Sequence, residues 1–306
     1  MSFDKPIRRI AIVGTGVIGA SWAALYLARG FDVVATDPAP NAEADLRFYI
    51  DKTWKELTVL GLSPKASPDH LTFTRDMKKA LSDADFVQES GPERAEFKIK
   101  LLADMDETTP VDSIIASSSS ELTMSEMQSV CAHPERCVIG HPFNPPHLIP
   151  LVEIVGGEKT SPEAIQQAIS FYASIGKKPV HLRKEVVGHV ANRLQAALYR
   201  EVAYLVEQDV LSVSDTDVAV CRGPGLRWGV MGPNLLFHLG GARAVSRTSW
   251  SISPARWLRG GRILEIRLWG RTFNKRSLPT SSRNPQAVPS MNSITIVTRY
   301  CWASCH

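Results

Sequence analysis

The chain has 306 residues, 44% hydrophobic and 22% charged, with five cysteines and a formal net charge of +4. That composition supports a sizeable core and two domains, while no apolar run approaches the ~20 residues that span a bilayer. The N-terminus carries no secretory leader pattern and the cysteines show neither metal spacing nor an even disulfide framework, so the expectation is a cytoplasmic protein with reduced thiols, no metal, no membrane and no nucleic-acid partner.

RRIAIV (8–13) is a short apolar run of strand length and β-branched content. GTGVIG follows, with Gly14, Gly16 and Gly19 in the G-x-G-x-x-G spacing and Val17 and Ile18 between the last two. SWAALYLARG then has helical apolar periodicity, and FDVVATD (31–37) is a second strand closed by Asp37. Strand, glycine turn, helix, strand and acid together form a dinucleotide-binding unit. Gly14 permits the tight turn, Gly16 lets the backbone approach a pyrophosphate, and Gly19 lets helix and strand pack closely. Asp37 suits a ribose 2′-hydroxyl and would repel a 2′-phosphate, which favours NAD over NADP.

Further strands are expected at 71–74, 84–89, 113–118, 137–141, 151–155 and 179–182, with helices over 93–105 and 161–175. This alternation predicts an α/β fold with a Rossmann-like, doubly wound parallel sheet. Ligands of such sheets lie at the C-terminal strand ends. SSSSEL (117–122) follows one such end and His141 closes another. Glu153, inside the apolar run LVEIV, is costly to bury unless paired. With His141 it offers a general base and an orienting carboxylate, the pair that oxidation of an alcohol by NAD requires. Asn144 and His147 read as turn-forming and surface positions.

These residues carry a resemblance. GTGVIG, QESGPERAEFKIK, ASSSSEL, HPFNPP with PLVEIVGG, KEVVGHVANRLQAALYREV and GPGLRWGVMGP are similar to the 3-hydroxyacyl-CoA dehydrogenase superfamily, from about residue 8 to about 241. The nearest branch is the one that acts on L-gulonate and L-carnitine and includes a lens crystallin. The resemblance implies that His141 is the base and Glu153 its partner. It implies that Ser120 bonds the substrate oxygen and that Asn192 faces the reacting carbonyl. Glu93 and Lys98 fall on positions that contact the nicotinamide side of NAD, and Ser118 stands where many members have Asn. Val187-Gly188-His189 replaces the usual Pro-Gly-Phe before the long helix.

The stretch 188–212 is a long amphipathic helix leading into a smaller, truncated all-α domain. In GPGLRWGVMGP (223–233), Arg227 can grip a carboxylate with its fork of donors. Trp228 can pack a sugar or a trimethylammonium group. The expected activity is therefore NAD-dependent oxidation of the β-hydroxyl of a small L-3-hydroxy acid such as carnitine or gulonate. The alternatives are a 3-hydroxyacyl-CoA dehydrogenase of fatty acid metabolism and an NAD-binding structural or inactive protein.

Residues 1–241 carry 24 basic and 30 acidic residues, whereas 242–306 carry 11 basic residues and the single acid Glu265. Four of the seven Trp also fall in that last stretch. Back-translated with GC-rich codons and read from the third base, AVSRTSWSISP (244–254) permits the ordinary helical text Gly-Ile-Ala-His-Phe-Met-Glu-His-Ile-Ala. The reading is a nucleotide-binding domain over 1–186, a partial helical domain over 187–241 and a frameshifted, poorly ordered basic tail over 242–306. The relatives' homodimer and full activity are doubtful for a chain so altered.

Overall fold

The structure, a computed structural model, describes residues 5–240. The expected tail at 242–306 lies outside the described residues. β1 (Arg9–Val13), β2 (Asp32–Thr36), β3 (Leu71–Phe73), β4 (Phe86–Glu89), β5 (Ile114–Ser117), β6 (Cys137–Pro142), β7 (Leu151–Gly156) and β8 (Lys178–Leu182) form one sheet in the order β3-β2-β1-β4-β5-β6-β7-β8. The central strands are buried on both faces, as a parallel sheet demands, and so read as near-continuous apolar runs.

Helices cover both faces. On one side Ile10 and Ile12 pack with α1 (Val17–Ala28), α2 (Ala42–Leu60) and α6 (Pro162–Ser174). On the other, Ala11 and Val13 pack with α3 (Met77–Leu81), α4 (Ala95–Thr108) and α5 (Met124–Met127). The strand order reverses at β1, between β2 and β4, and this switch point is where such sheets bind ligand.

The sheet is not wholly parallel. β7 runs antiparallel to β6, because the eight residues 143–150 are too few for a crossover helix. The reversal sets His141 directly opposite Glu153 in the ladder. Residues directly opposite share a face of the sheet, so the pairing is a consequence of register.

The chain divides into two compact units, through Arg200 and from Glu201. The boundary falls inside α7 (Ala191–Glu207), fourteen residues beyond the sequence-based one. The start of α7 belongs with the sheet because the backbone N–H groups of Val190 and Ala191 donate to Glu153. The described part of the second unit holds α8 (Val213–Arg222), α9 (Pro224–Trp228) and α10 (Pro233–Gly240). Among the described residues no helix is long and apolar enough to cross a membrane.

Candidate active site

The glycine turn joins β1 to α1. Gly14 has φ +88°, and a Cβ there would lie 2.8 Å from the Ser90 carbonyl. A Cβ on Gly19 would overlap the Gly14 carbonyl oxygen, whereas one on Gly16 would meet nothing. The protein therefore requires glycine at 14 and 19, while at 16 the space is left for something that is not protein. Gly16 caps α1 with no side-chain hydrogen bond, so the helix's first N–H groups remain for an anion. Asp37 follows β2 directly and accepts from the Thr15 amide at 2.8 Å and hydroxyl at 3.2 Å, and from the Ala39 amide at 2.9 Å. It thus closes the turn as well as presenting a carboxylate beside it.

The different surroundings of Gly16 and Gly19 separate binding from folding. Gly16→Ala is expected to leave the melting temperature unchanged and to weaken NAD about tenfold or more, read by titration calorimetry. Gly19→Ala is expected to lower the melting temperature as well, since backbone must move. Equal NAD affinity for Gly16→Ala and the parent chain would place the pyrophosphate elsewhere.

At the same strand ends lies a cleft of about 480 Å³, lined by Ile18, Glu93, Lys98, Ser118, Ser120, His141 and Asn192, among others. All but Ile18 come from β4 and the segments that follow it, although they are far apart in sequence. His141 Nδ1 is 3.0 Å from Glu153 Oε2, and both residues are buried. Glu153 Oε1 accepts from Val190 at 2.8 Å and Ala191 at 3.0 Å. Burial pushes the Glu153 carboxyl up, but the His141 bond and the two amides outweigh it and hold it below the usual carboxylate range. A carboxylate on Nδ1 makes that nitrogen the donor and leaves Nε2 free to take a proton.

Glu93, expected beside the cofactor, also organises the loop next to it. Its Oε1 gathers the Ser119 hydroxyl and the amides of Ser120 (3.0 Å), Glu121 (3.0 Å) and Leu122 (3.4 Å), fixing the serine loop. Burial raises its pKa, yet these donors and Lys98 bring it below the ordinary value. Lys98 Nζ is held by Glu89 Oε1 at 2.8 Å and Oε2 at 2.9 Å, with Glu93 at 3.5 Å. The Ser118 hydroxyl accepts from Gln88 at 2.9 Å and shares a hydrogen with Ser90 at 3.0 Å. Glu89, which also accepts from Ser117 at 2.5 Å, escaped the sequence reading. Its signal is an acid closing an apolar strand, a relative of the signal that singled out Glu153 inside one.

His147 is a correction. It is buried, not a surface residue. The Ser21 hydroxyl accepts from its backbone amide at 2.9 Å and bonds Nδ1 at 2.7 Å, while Nε2 reaches Glu56 at 3.0 Å. Burial pushes its pKa down. Lys177 donates to the carbonyls of Pro146 and Ile149, the latter at 2.8 Å, and lies 5.0 Å over the Trp22 ring. The loop that carries Phe143 and Asn144 into the cleft is thereby fastened to α1, α2 and the start of β8. Asn144, read as a turn residue, lines the cleft, as does Gln195 on α7. Val17 is exposed at the start of α1. Arg227 and Trp228 end α9 in the second unit, both exposed.

Residues 9–186 match the family described as 3-hydroxyacyl-CoA dehydrogenase, NAD binding domain, and residues 188–265 match its C-terminal domain. The second match runs past Ala242, where the composition changes. The chain is 52% identical over 237 residues to an L-carnitine dehydrogenase of Streptomyces griseus, covering 78% of this chain and 71% of that protein. Among solved structures it resembles an NAD⁺-dependent dismutase, a 5-formyl-3-hydroxy-2-methylpyridine 4-carboxylic acid 5-dehydrogenase. The identity there is 37% with a TM-score of 0.73, over 78% of this chain and 77% of that one. A 3-hydroxybutyryl-CoA dehydrogenase of Escherichia coli K12 is 27% identical with a TM-score of 0.65, over 71% of this chain and 46% of that one.

Proposed function

The chain belongs to the 3-hydroxyacyl-CoA dehydrogenase family and is an NAD-dependent dehydrogenase acting on CH–OH; from that premise we propose that it oxidises the β-hydroxyl of a small free L-3-hydroxy carboxylate, L-carnitine foremost. The observation that carries the chemistry is the His141–Glu153 pair at the edge of the cleft. When bound, NAD supplies the acceptor for the hydride. His141 takes the hydroxyl proton on Nε2. Glu153 keeps Nδ1 protonated and offsets the charge of the imidazolium that forms. Ser120, held by Glu93, bonds the substrate oxygen, and Asn192 on α7 offers its amide to the carbonyl side. The loop fastened by His147 and Lys177 shields one flank.

A free acid is favoured over a CoA thioester by similarity. The carnitine dehydrogenase and the pyridine-carboxylate dehydrogenase are 52% and 37% identical to this chain, the 3-hydroxybutyryl-CoA enzyme 27%. Parallel assays of NAD reduction with L-carnitine, L-gulonate and L-3-hydroxybutyryl-CoA test the choice. L-Carnitine is expected to give the highest kcat/KM. Strong turnover of the CoA ester alone rejects a free acid, and NAD binding without turnover of any of them favours a structural role.

A further inference from the structure

We propose that His189 is a positioning residue for proton transfer at His141: a permanently neutral imidazole that ties the serine loop to the base and leaves the proton drawn from substrate to His141 alone. The inference rests on the reading of His141 as the base. It starts from the backbone. His189 has φ +47° and Gly188 φ +75°, so two successive residues are left-handed just before α7. A side-chain-bearing residue holds that conformation only where its surroundings fix it. This turn delivers the amides of Val190 and Ala191 to Glu153. It also lays the His189 ring beside that of His141, with centroids 4.7 Å apart and planes at 43°.

Its hydrogen bonds fix the tautomer. His189 Nε2 is 2.9 Å from the Ser119 carbonyl oxygen, which can only accept. The proton is therefore on Nε2. Nδ1 is then a bare lone pair, fully buried and without a hydrogen-bond partner. A second proton there would be desolvated, unshared and adjacent to His141. Burial pushes the His189 pKa below the ordinary histidine value, and His141 pushes it further down. The Ser119 carbonyl, Glu153 and Glu93 pull the other way without reversing it. The charged and titratable groups facing His189 are thus His141 from β6, Glu153 from β7 and Glu93 from the β4–α4 turn.

Two consequences follow for catalysis. A neighbour that cannot ionise does not compete with His141 for the proton drawn from substrate. The bond to Ser119 fixes the backbone one residue before Ser120, so the distance between the substrate-binding hydroxyl and the base is set through His189.

The first test needs no substrate. ¹⁵N spectra of the histidine rings, with His189 assigned through His189→Gln, are recorded between about pH 5.5 and about pH 8.5, the range in which an ordinary histidine titrates. His189 is expected to stay the neutral Nε2–H tautomer throughout. Titration within the range, or a proton on Nδ1, overturns the proposal while leaving the assignment of His141 untouched. The second test is kinetic. His189→Phe keeps a ring against His141 but loses the donor, and is expected to lower kcat about tenfold with NAD affinity unchanged. His189→Gln, which can still donate to Ser119, is expected to recover most of that loss. Equal kcat in the two variants, or a parallel fall in melting temperature and NAD affinity, makes His189 merely structural. Full activity in His141→Gln, by contrast, removes the base and leaves the spectroscopic result standing.

Discussion

His141→Gln is expected to lower kcat about 10²–10⁴-fold, the usual contribution of a general base, with NAD affinity close to the parent's. The amide replaces the ring with a group of similar polarity that cannot accept a proton at neutral pH. The His141 ring hydrogen-bonds Glu153 and not the glycine turn, so the turn that holds the pyrophosphate keeps its own bonds. Glu153 retains the Val190 and Ala191 amides and keeps two of its three partners, which confines the stability change to a small fall in melting temperature. Steady-state kinetics with L-carnitine, alongside calorimetric titration with NAD, separates the two effects. Loss of NAD binding in parallel with kcat makes the residue structural. A variant that keeps more than about a tenth of the parental kcat removes it from proton transfer.

What could be read from the sequence was whatever is local. All eight strands were legible, the central ones because a strand buried on both faces must be an apolar run: Ile10–Val13 and Ile114–Ser117 contain no alternation to confuse the reading. The glycine turn was legible because its demands on the chain are local: Gly14 takes a positive φ, and Gly19 must clear the Gly14 carbonyl five residues before it. The direction of β7 was not, since a strand's side chains do not encode its sense. The signal was the length of 143–150, too short for a crossover, while the register that sets His141 opposite Glu153 is given only by the fold. His147 was misread as surface because what buries it, Ser21 and Glu56, lies 126 and 91 residues away. A polar residue in a Pro-rich loop gives no local sign of such partners. Glu93 was placed in the cleft by resemblance, but its grip on the serine loop depends on four donors that only the fold brings together. Val187-Gly188-His189 stood out as a departure from the resembled pattern. The departure proves to be an imidazole against His141, closed by a backbone carbonyl 70 residues away.

Glu153→Gln reaches further than His141→Gln because Glu153 serves two elements at once. Its Oε2 orients His141 and its Oε1 receives the first amides of α7. The Gln carbonyl can still accept from Val190 and Ala191, but its NH₂ then faces His141 Nδ1. To avoid two donors meeting, the imidazole must move its proton to Nε2, the nitrogen that must be free to take one from substrate. The expected loss is about 10²-fold or more in kcat, the behaviour of a base held in the wrong tautomer. Stability is expected to fall by about 1–3 kcal/mol at neutral pH, since a carboxylate at a helix N-terminus and against a histidine becomes a neutral amide. The pH dependence has a definite sign. The Glu153 carboxyl is held below its ordinary value of 4.5, so its contribution to folding is complete above that pH and is lost as pH falls through the lower folded-state value. The stability difference between parent and variant, followed by denaturant titration, should therefore be full at neutral pH and shrink only in acid, below 4.5. A difference that is constant with pH would mean that the carboxylate's charge contributes nothing to the fold. A variant with unchanged kcat would mean that the tautomer of His141 is fixed by something other than Glu153.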